Sequence, residues 1–226
     1  MEDIKTILIL GGYGRAGIEI ARLLLRESQH NVWLAGRNRS KATRAAIQLN
    51  SKHSEERVTG MQVDASQMKQ LAGLFAKWEL VIVAMPITGI GGDVVQAAFD
   101  ARIDYIDLNA NNAKRRLLQK LDPEIRAAGL TFISEAGFVP GAPSLMARYV
   151  AAQSDSLEEL TIGGLFKEEQ VSYGSCLDMI PALGENPAIF RDGSWIKAGL
   201  TATKKVDFGQ RQGVKSCYPM DLVELR

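Results

Sequence analysis

The chain is predicted to be an α/β protein: a Rossmann-type doubly wound parallel sheet followed by a second, incomplete α+β domain. Three observations predict this. Short β-favouring runs alternate with helical patterns as far as about residue 143, several of those runs are continuously apolar, and four glycines crowd residues 11–17 directly behind the first run. Continuous apolar strands are what a parallel sheet covered by helices on both faces requires, and strand–helix alternation is the signature of that architecture. The same rhythm sets the expected division, a first domain at 1–143 and a partial second domain at 144–226.

In order, the predicted strands are TILIL at 6–10, NVWLA at 31–35, TGMQVD at 59–64, ELVIVAM at 79–85, YIDLN at 105–109 and LTFIS at 130–134. Between the first two, IEIARLLLRE is expected to turn Ile20, Leu23 and Leu24 toward the sheet, with Glu27 at the edge of that face. Ser40 and Ser66 precede helical runs and are expected to cap them, because a side-chain oxygen there accepts an otherwise unpaired backbone N–H. LDPEIRAAG reads as a helix of its own, with Asp122 as N-cap, Pro123 first and Gly129 as the stop. Beyond it a helix is expected from about Pro143 to Gln153. Then come polar loops, a turn at Asp192 and Gly193, and β-like pieces within WIKAGLTATKKV.

Composition excludes several classes. With 226 residues and 46% apolar content the chain can bury a core without staples. Its two cysteines, Cys176 and Cys217, are far apart, so neither a disulfide framework nor a metal site is expected, and Cys176 reads as an inert buried thiol. A net charge of +1, from 27 basic and 26 acidic side chains, provides no footprint for a nucleic acid. No apolar stretch approaches the roughly 20 residues that cross a bilayer, and the start MEDIKTILIL lacks the pattern of a signal peptide. A cytoplasmic protein without a membrane partner is therefore expected.

The glycines pose the functional question. Gly12, Gly14 and Gly17 form G-x-G-x-x-G between a strand and a helix, while Gly11, Gly14 and Gly17 also fit the G-x-x-G-x-x-G of atypical short-chain reductases. In the first spacing one glycine permits a tight turn, the next lets a pyrophosphate reach the backbone, and the third allows close helix packing; the helix N-terminus then faces the anion. After the second strand an NAD-binding protein would carry an acidic residue for the ribose. Here LAGRNRSKA presents Arg37, Asn38 and Lys41 instead, and a guanidinium matches a 2′-phosphate that a carboxylate would repel. NADP is thus expected over NAD. Asp64 ends the third strand where an adenine edge would pass, although an aspartate there is as often a turn residue. Pro86, Gly89, Gly91 and Gly92 open a loop after the fourth strand on the nicotinamide side, and Asp93 is expected to cap the helix that follows.

Taken in order, LILGGYGRAG, AGRNRSKA, VDAS, VIVAMP, YIDLN and EAGFVPGAPSLMARYVA resemble the saccharopine dehydrogenase-like family of NAD(P)-dependent reductases. The resemblance implies a Rossmann domain followed by a substrate domain, use of NADP(H), a small-molecule substrate, frequent homodimers and a cytoplasmic location. Carried onto this chain, it implies that Gly12, Tyr13, Gly14, Arg15 and Ala16 meet the pyrophosphate and Arg37 the 2′-phosphate. Asp64 would meet the adenine, and Ala84, Met85 and Pro86 the nicotinamide ribose. Relatives run beyond the point where YPMDLVELR stops, so the chain is expected to be a fragment, a truncated reading frame or a short paralogue.

Hydride transfer also needs a proton donor. The two histidines, His30 and His53, lie in polar surroundings, and no Tyr-x-x-x-Lys pair of the short-chain type occurs. Tyr105 and Asp107, expected on the rim at the end of the fifth strand, are the remaining acid/base candidates; the alternative is a packed tyrosine and a turn aspartate. Two functions stay open: an NADP-dependent oxidoreductase acting on an amino-acid-derived imine or carbonyl, and a non-catalytic NADP-binding module.

Overall fold

The computed structural model describes residues 3–166, 187–199 and 201–220, so Cys176 lies outside the described residues. Two compact units divide the chain, Met1–Gly137 and Phe138–Arg226. In the first, the strands are β1 (Thr6–Leu10), β2 (Asn31–Gly36), β3 (Val58–Gln62), β4 (Leu80–Val83), β5 (Asp104–Asp107) and β6 (Phe132–Ile133). Helices α1 (Arg15–Glu27), α2 (Arg39–Asn50), α3 (Met68–Phe75), α4 (Gly91–Asp100) and α5 (Asn112–Ala127) connect them. All pairings are parallel and the order is β3-β2-β1-β4-β5-β6. That order reverses direction between β1 and β4, which opens a crevice at the carboxyl ends of those two strands.

Alternation along each strand explains the apolar runs. Leu8, Leu10, Ala35, Val81 and Val83 face one core layer, together with Leu71 and Phe75 of α3, Val94 and Ala98 of α4 and Leu121 and Ile125 of α5. The opposite residues Ile7, Ile9, Val32, Leu34 and Ile82 face the other layer with Ala21 and Leu25 of α1 and Ala45 and Leu49 of α2. Because helices cover both sides, neither set can be polar.

Several local expectations are corrected. On α1, Ile20 and Leu24 pack against the core as expected, but the buried line is Gly17, Ala21 and Leu25, and Leu23 is 42% exposed. Small residues make this contact because the helix sits too close for large ones: a Cβ on Gly17 would lie 2.5 Å from the Gly11 carbonyl oxygen. Asn38, not Ser40, caps α2, its side-chain oxygen accepting the Lys41 N–H at 2.9 Å. Ser66 precedes Gln67, which stands at the N-cap of α3, and its N–H and hydroxyl both donate to Asp64. Asp93 occupies the first turn of α4, whose N-cap is Ile90 without a side-chain bond. No separate helix begins at Asp122, since α5 continues through Pro123 and Asp122 accepts from Arg126 at 2.8 Å. Leu117, Leu121 and Ile125, four residues apart, bind both halves of α5 to one core, which outweighs the hydrogen bond lost at the proline. Gly129 does end it, at φ +68°.

The second unit holds α6 (Ala142–Ala152) and two antiparallel hairpins. One pairs β7 (Ala188–Arg191) with β8 (Ser194–Lys197), the other β9 (Lys204–Asp207) with β10 (Val214–Cys217). Asp192 and Gly193, at φ 51° and 74°, form the turn between β7 and β8, as their sequence implies. Phe138 and Phe166 meet edge to face, as do Phe190 and Trp195. No helix among the described residues is long and apolar enough to cross a membrane.

Candidate functional site

The glycine loop joins β1 to α1 at the reversal of strand order, and each glycine there answers a different constraint. Gly11 carries the left-handed turn at φ +79°, with Met85 and Ala84 so close that any Cβ would meet them at 2.7–2.9 Å. Gly12, expected to make that turn, lies against β2 instead, 2.6 Å from the Leu34 Cα as measured from an added Cβ. Gly14 differs from both. Its Cβ would meet the Gly11 carbonyl oxygen at 3.1 Å and nothing else within 4 Å, so open space lies beside the N-cap of α1. No side chain caps that helix and no acidic residue occupies its first turn. The result is a helix start without a side-chain cap, with Arg15 and Ala16 exposed on it, suited to a diphosphate.

At the carboxyl end of β2, Arg37 and Lys41 are exposed on either side of the Asn38 cap. Asn38 donates its own N–H to the Tyr13 hydroxyl at 3.2 Å, which ties this turn to the glycine loop. Asp64 follows β3 and holds the Ser66 hydroxyl and N–H; those bonds, the hydroxyl's foremost, draw its carboxyl below the usual aspartate range, with a smaller contribution from Arg37. Ala84, Met85 and Pro86 follow β4, and the Ala84 N–H donates to the Leu10 carbonyl. The predicted cofactor residues thus gather along the carboxyl ends of β1 to β4. They fit a dinucleotide: an uncapped helix start beside open space for diphosphate, and a cationic turn without carboxylate for a phosphorylated ribose.

Tyr105 and Asp107 do not lie on an open rim. Both are completely buried. The Tyr105 ring stacks on Phe132, and its hydroxyl donates to Asp107 at 2.7 Å. Asp107 also accepts from the Asn109 N–H at 2.8 Å, from the Glu135 N–H at 3.3 Å and from the Lys114 ammonium at 2.6 and 2.7 Å. Lys114 uses its remaining proton on the Asn109 carbonyl at 2.5 Å. Burial, and then the Asp107 charge, push the Tyr105 hydroxyl far above the usual tyrosine range, which keeps it protonated. Burial also lowers Lys114 from the ordinary lysine value, and Asp107 opposes that shift. The network locks the exits of β5 and β6 to the start of α5. Asn109 is 6% exposed, and among the described residues neither its amide nitrogen nor the buried Ser134 hydroxyl has a hydrogen-bond partner.

Sequence reasoning misses Lys114. The signal was present: Lys114 precedes Leu117 or Leu118, Leu121 and Ile125 at helical spacing, so the apolar face of α5 starts with a lysine that must find a buried anion. Among the described residues no group of three or more His, Cys, Asp or Glu side chains gathers to hold a metal.

Comparison with known proteins gives a family and a fold. Residues 7–133 match the family model for the saccharopine dehydrogenase NADP binding domain. Among solved structures, apo saccharopine dehydrogenase (L-Glu forming) from Saccharomyces cerevisiae aligns with 96% of this chain and 49% of its own at 21% identity and TM-score 0.66, a likeness of fold. This chain therefore spans about half the length of that enzyme. A short-chain type dehydrogenase/reductase from Mycobacterium ulcerans aligns with 57% of this chain and 66% of its own, at 16% identity and TM-score 0.48. Sorbitol-6-phosphate 2-dehydrogenase from Erwinia amylovora covers 57% of this chain and 69% of its own, at 18% identity and TM-score 0.45.

Proposed function

The chain belongs to the saccharopine dehydrogenase family through its NADP-binding domain, and from that premise we propose that it is an NADP(H)-dependent oxidoreductase of small amino-acid-derived imines or carbonyl compounds. When bound, the nicotinamide supplies or accepts the hydride. The residues of the chain bind and orient: the glycine loop and the uncapped start of α1 hold the diphosphate, Arg37 and Lys41 the 2′-phosphate, and Ala84 to Pro86 border the nicotinamide half. The observation that carries this reading is the pairing of open space at Gly14 with a cationic turn that offers no carboxylate. Residues 1–143 would form the cofactor domain and 144–226 part of a substrate and dimerisation domain, in a cytoplasmic homodimer. Sedimentation of the purified chain tests the dimer.

The cofactor reading is tested by fluorescence titration with NADPH and NADH. Arg37→Ala should weaken NADPH binding by about 1.5–3 kcal/mol, the scale of a charged hydrogen bond, and leave NADH nearly unchanged. Equal losses for both would remove Arg37 from the 2′-phosphate. A second reading, a non-catalytic NADP-binding module, is favoured by the complete burial of Tyr105 and Asp107. NADPH oxidation measured with a panel of keto acids and amines separates the two: tight NADPH binding without turnover would support the module. In either case Tyr105 and Asp107 act as positioning residues for the loop that carries Asn109.

A further inference from the structure

The acidic residue by which a dinucleotide fold selects the unphosphorylated ribose belongs about 20 residues beyond the glycine motif, at the end of the second strand. In this chain that place is Gly36, the buried last residue of β2. Its φ lies outside the left-handed range, so the backbone there would admit any side chain. What excludes one is Tyr13. A Cβ on Gly36 would stand 2.4 Å from Cε1 of the Tyr13 ring, 2.9 Å from Cζ and 3.0 Å from the hydroxyl. The ring fills the volume in which a ribose-binding carboxylate would project. Its hydroxyl, one atom further on, accepts the Asn38 N–H and so holds the turn that exposes Arg37.

We propose that Tyr13 is a specificity-determining residue for the phosphorylated coenzyme: its ring keeps the end of β2 free of an acidic side chain, and its hydroxyl holds the Arg37 turn in place. This rests on the cofactor site argued above and adds to it. In that reading Arg37 supplies the attraction; Tyr13 supplies the exclusion, the other half of a discrimination between two ligands that differ by one phosphate. The two halves are mechanically linked, because a side chain at position 36 must push the ring aside and thereby break the bond to Asn38.

The consequence is non-additivity between Tyr13 and Gly36, which a double-mutant cycle reads. Affinities for NADPH and NADH are measured by fluorescence titration of the full chain as wild type, Tyr13→Ala, Gly36→Asp and the double variant. Gly36→Asp alone should lose about tenfold or more in NADPH affinity and gain nothing for NADH, because the displaced ring crowds the adenosine end. In the Tyr13→Ala background the same substitution should raise NADH affinity about tenfold over Gly36→Asp alone and reverse the coenzyme preference. Gly36→Ala is the milder probe should the aspartate variant fail to fold: about a tenfold NADPH loss with Tyr13 present, and less than about twofold in the Tyr13→Ala background. Effects of position 36 that are the same with and without Tyr13 overturn the proposal while leaving the cofactor site standing. Failure of the wild type to bind either coenzyme overturns the site itself, and this proposal with it.

Discussion

The two units of the chain treat their apolar residues in opposite ways. Among the described residues, every buried core hydrophobic except Ala198 belongs to Met1–Gly137, whereas fourteen of the eighteen exposed large hydrophobics belong to Phe138–Arg226. The first unit has a sheet sandwiched between two helix layers, so each strand residue meets a helix whichever way it points. Among the described residues the second shows one helix and two separate hairpins of four-residue strands, and a two-stranded hairpin by itself supplies no second layer to bury against. On α6, Leu145, Met146 and Tyr149 are each more than half exposed. Burial, then, is a property of layers rather than of residues: equally apolar side chains become core in one unit and surface in the other.

Four substitutions would break or sharpen that contrast. The largest effect is expected at the sealed ion pair of the first unit. Lys114→Met removes one partner and leaves a buried carboxylate, which should cost about 3–5 kcal/mol in chemical denaturation. Asp107→Asn should cost a comparable amount by stranding the ammonium, so any loss of turnover in it must be read against its stability. A loss under about 1 kcal/mol for Lys114→Met would mean that water reaches the pair. Next comes Gly60 in β3, where a Cβ would sit 2.4 Å from backbone atoms of Ala42 and Thr43 in α2. Gly60→Ala should destabilise by about 1–3 kcal/mol through overpacking, since backbone cannot rotate aside as a side chain can. Unchanged thermal stability would show that α2 rides loosely on the sheet. The smallest effect is expected in the second unit. Phe190 is 61% exposed and touches Trp195 edge to face, so Phe190→Ala should cost no more than about 1 kcal/mol. A cost above about 2 kcal/mol would put Phe190 in a core in solution and end the contrast.

Much of the first unit was readable because its signals are local. TILIL and NVWLA became β1 and β2, and the glycine cluster fell between strand and helix where its spacing placed it. Cap residues were less legible: Asn38 and Ser40 are both competent, and the choice depended on where the turn from β2 left the backbone. On α1 the apolar face was legible at Ile20 and Leu24, but the close-packed line through Gly17 and Ala21 was not, because closeness there matters more than size. At the site, the cationic turn at Arg37 was legible from charge alone. The role of Tyr13 was not, because its ring meets Gly36 across 23 positions of chain.

Periodicity and glycine spacing therefore determined the doubly wound sheet, and with the missing carboxylate after the second strand they marked a candidate dinucleotide site, for each depends on conformational preferences within a few residues. Only the tertiary structure decided that Tyr105 and Asp107 are sealed by Lys114, that α5 runs unbroken through Pro123, and which glycine carries which constraint. These depend on contacts between strands and helices distant in sequence, where burial makes a charge find its partner and close approach makes a side chain give way.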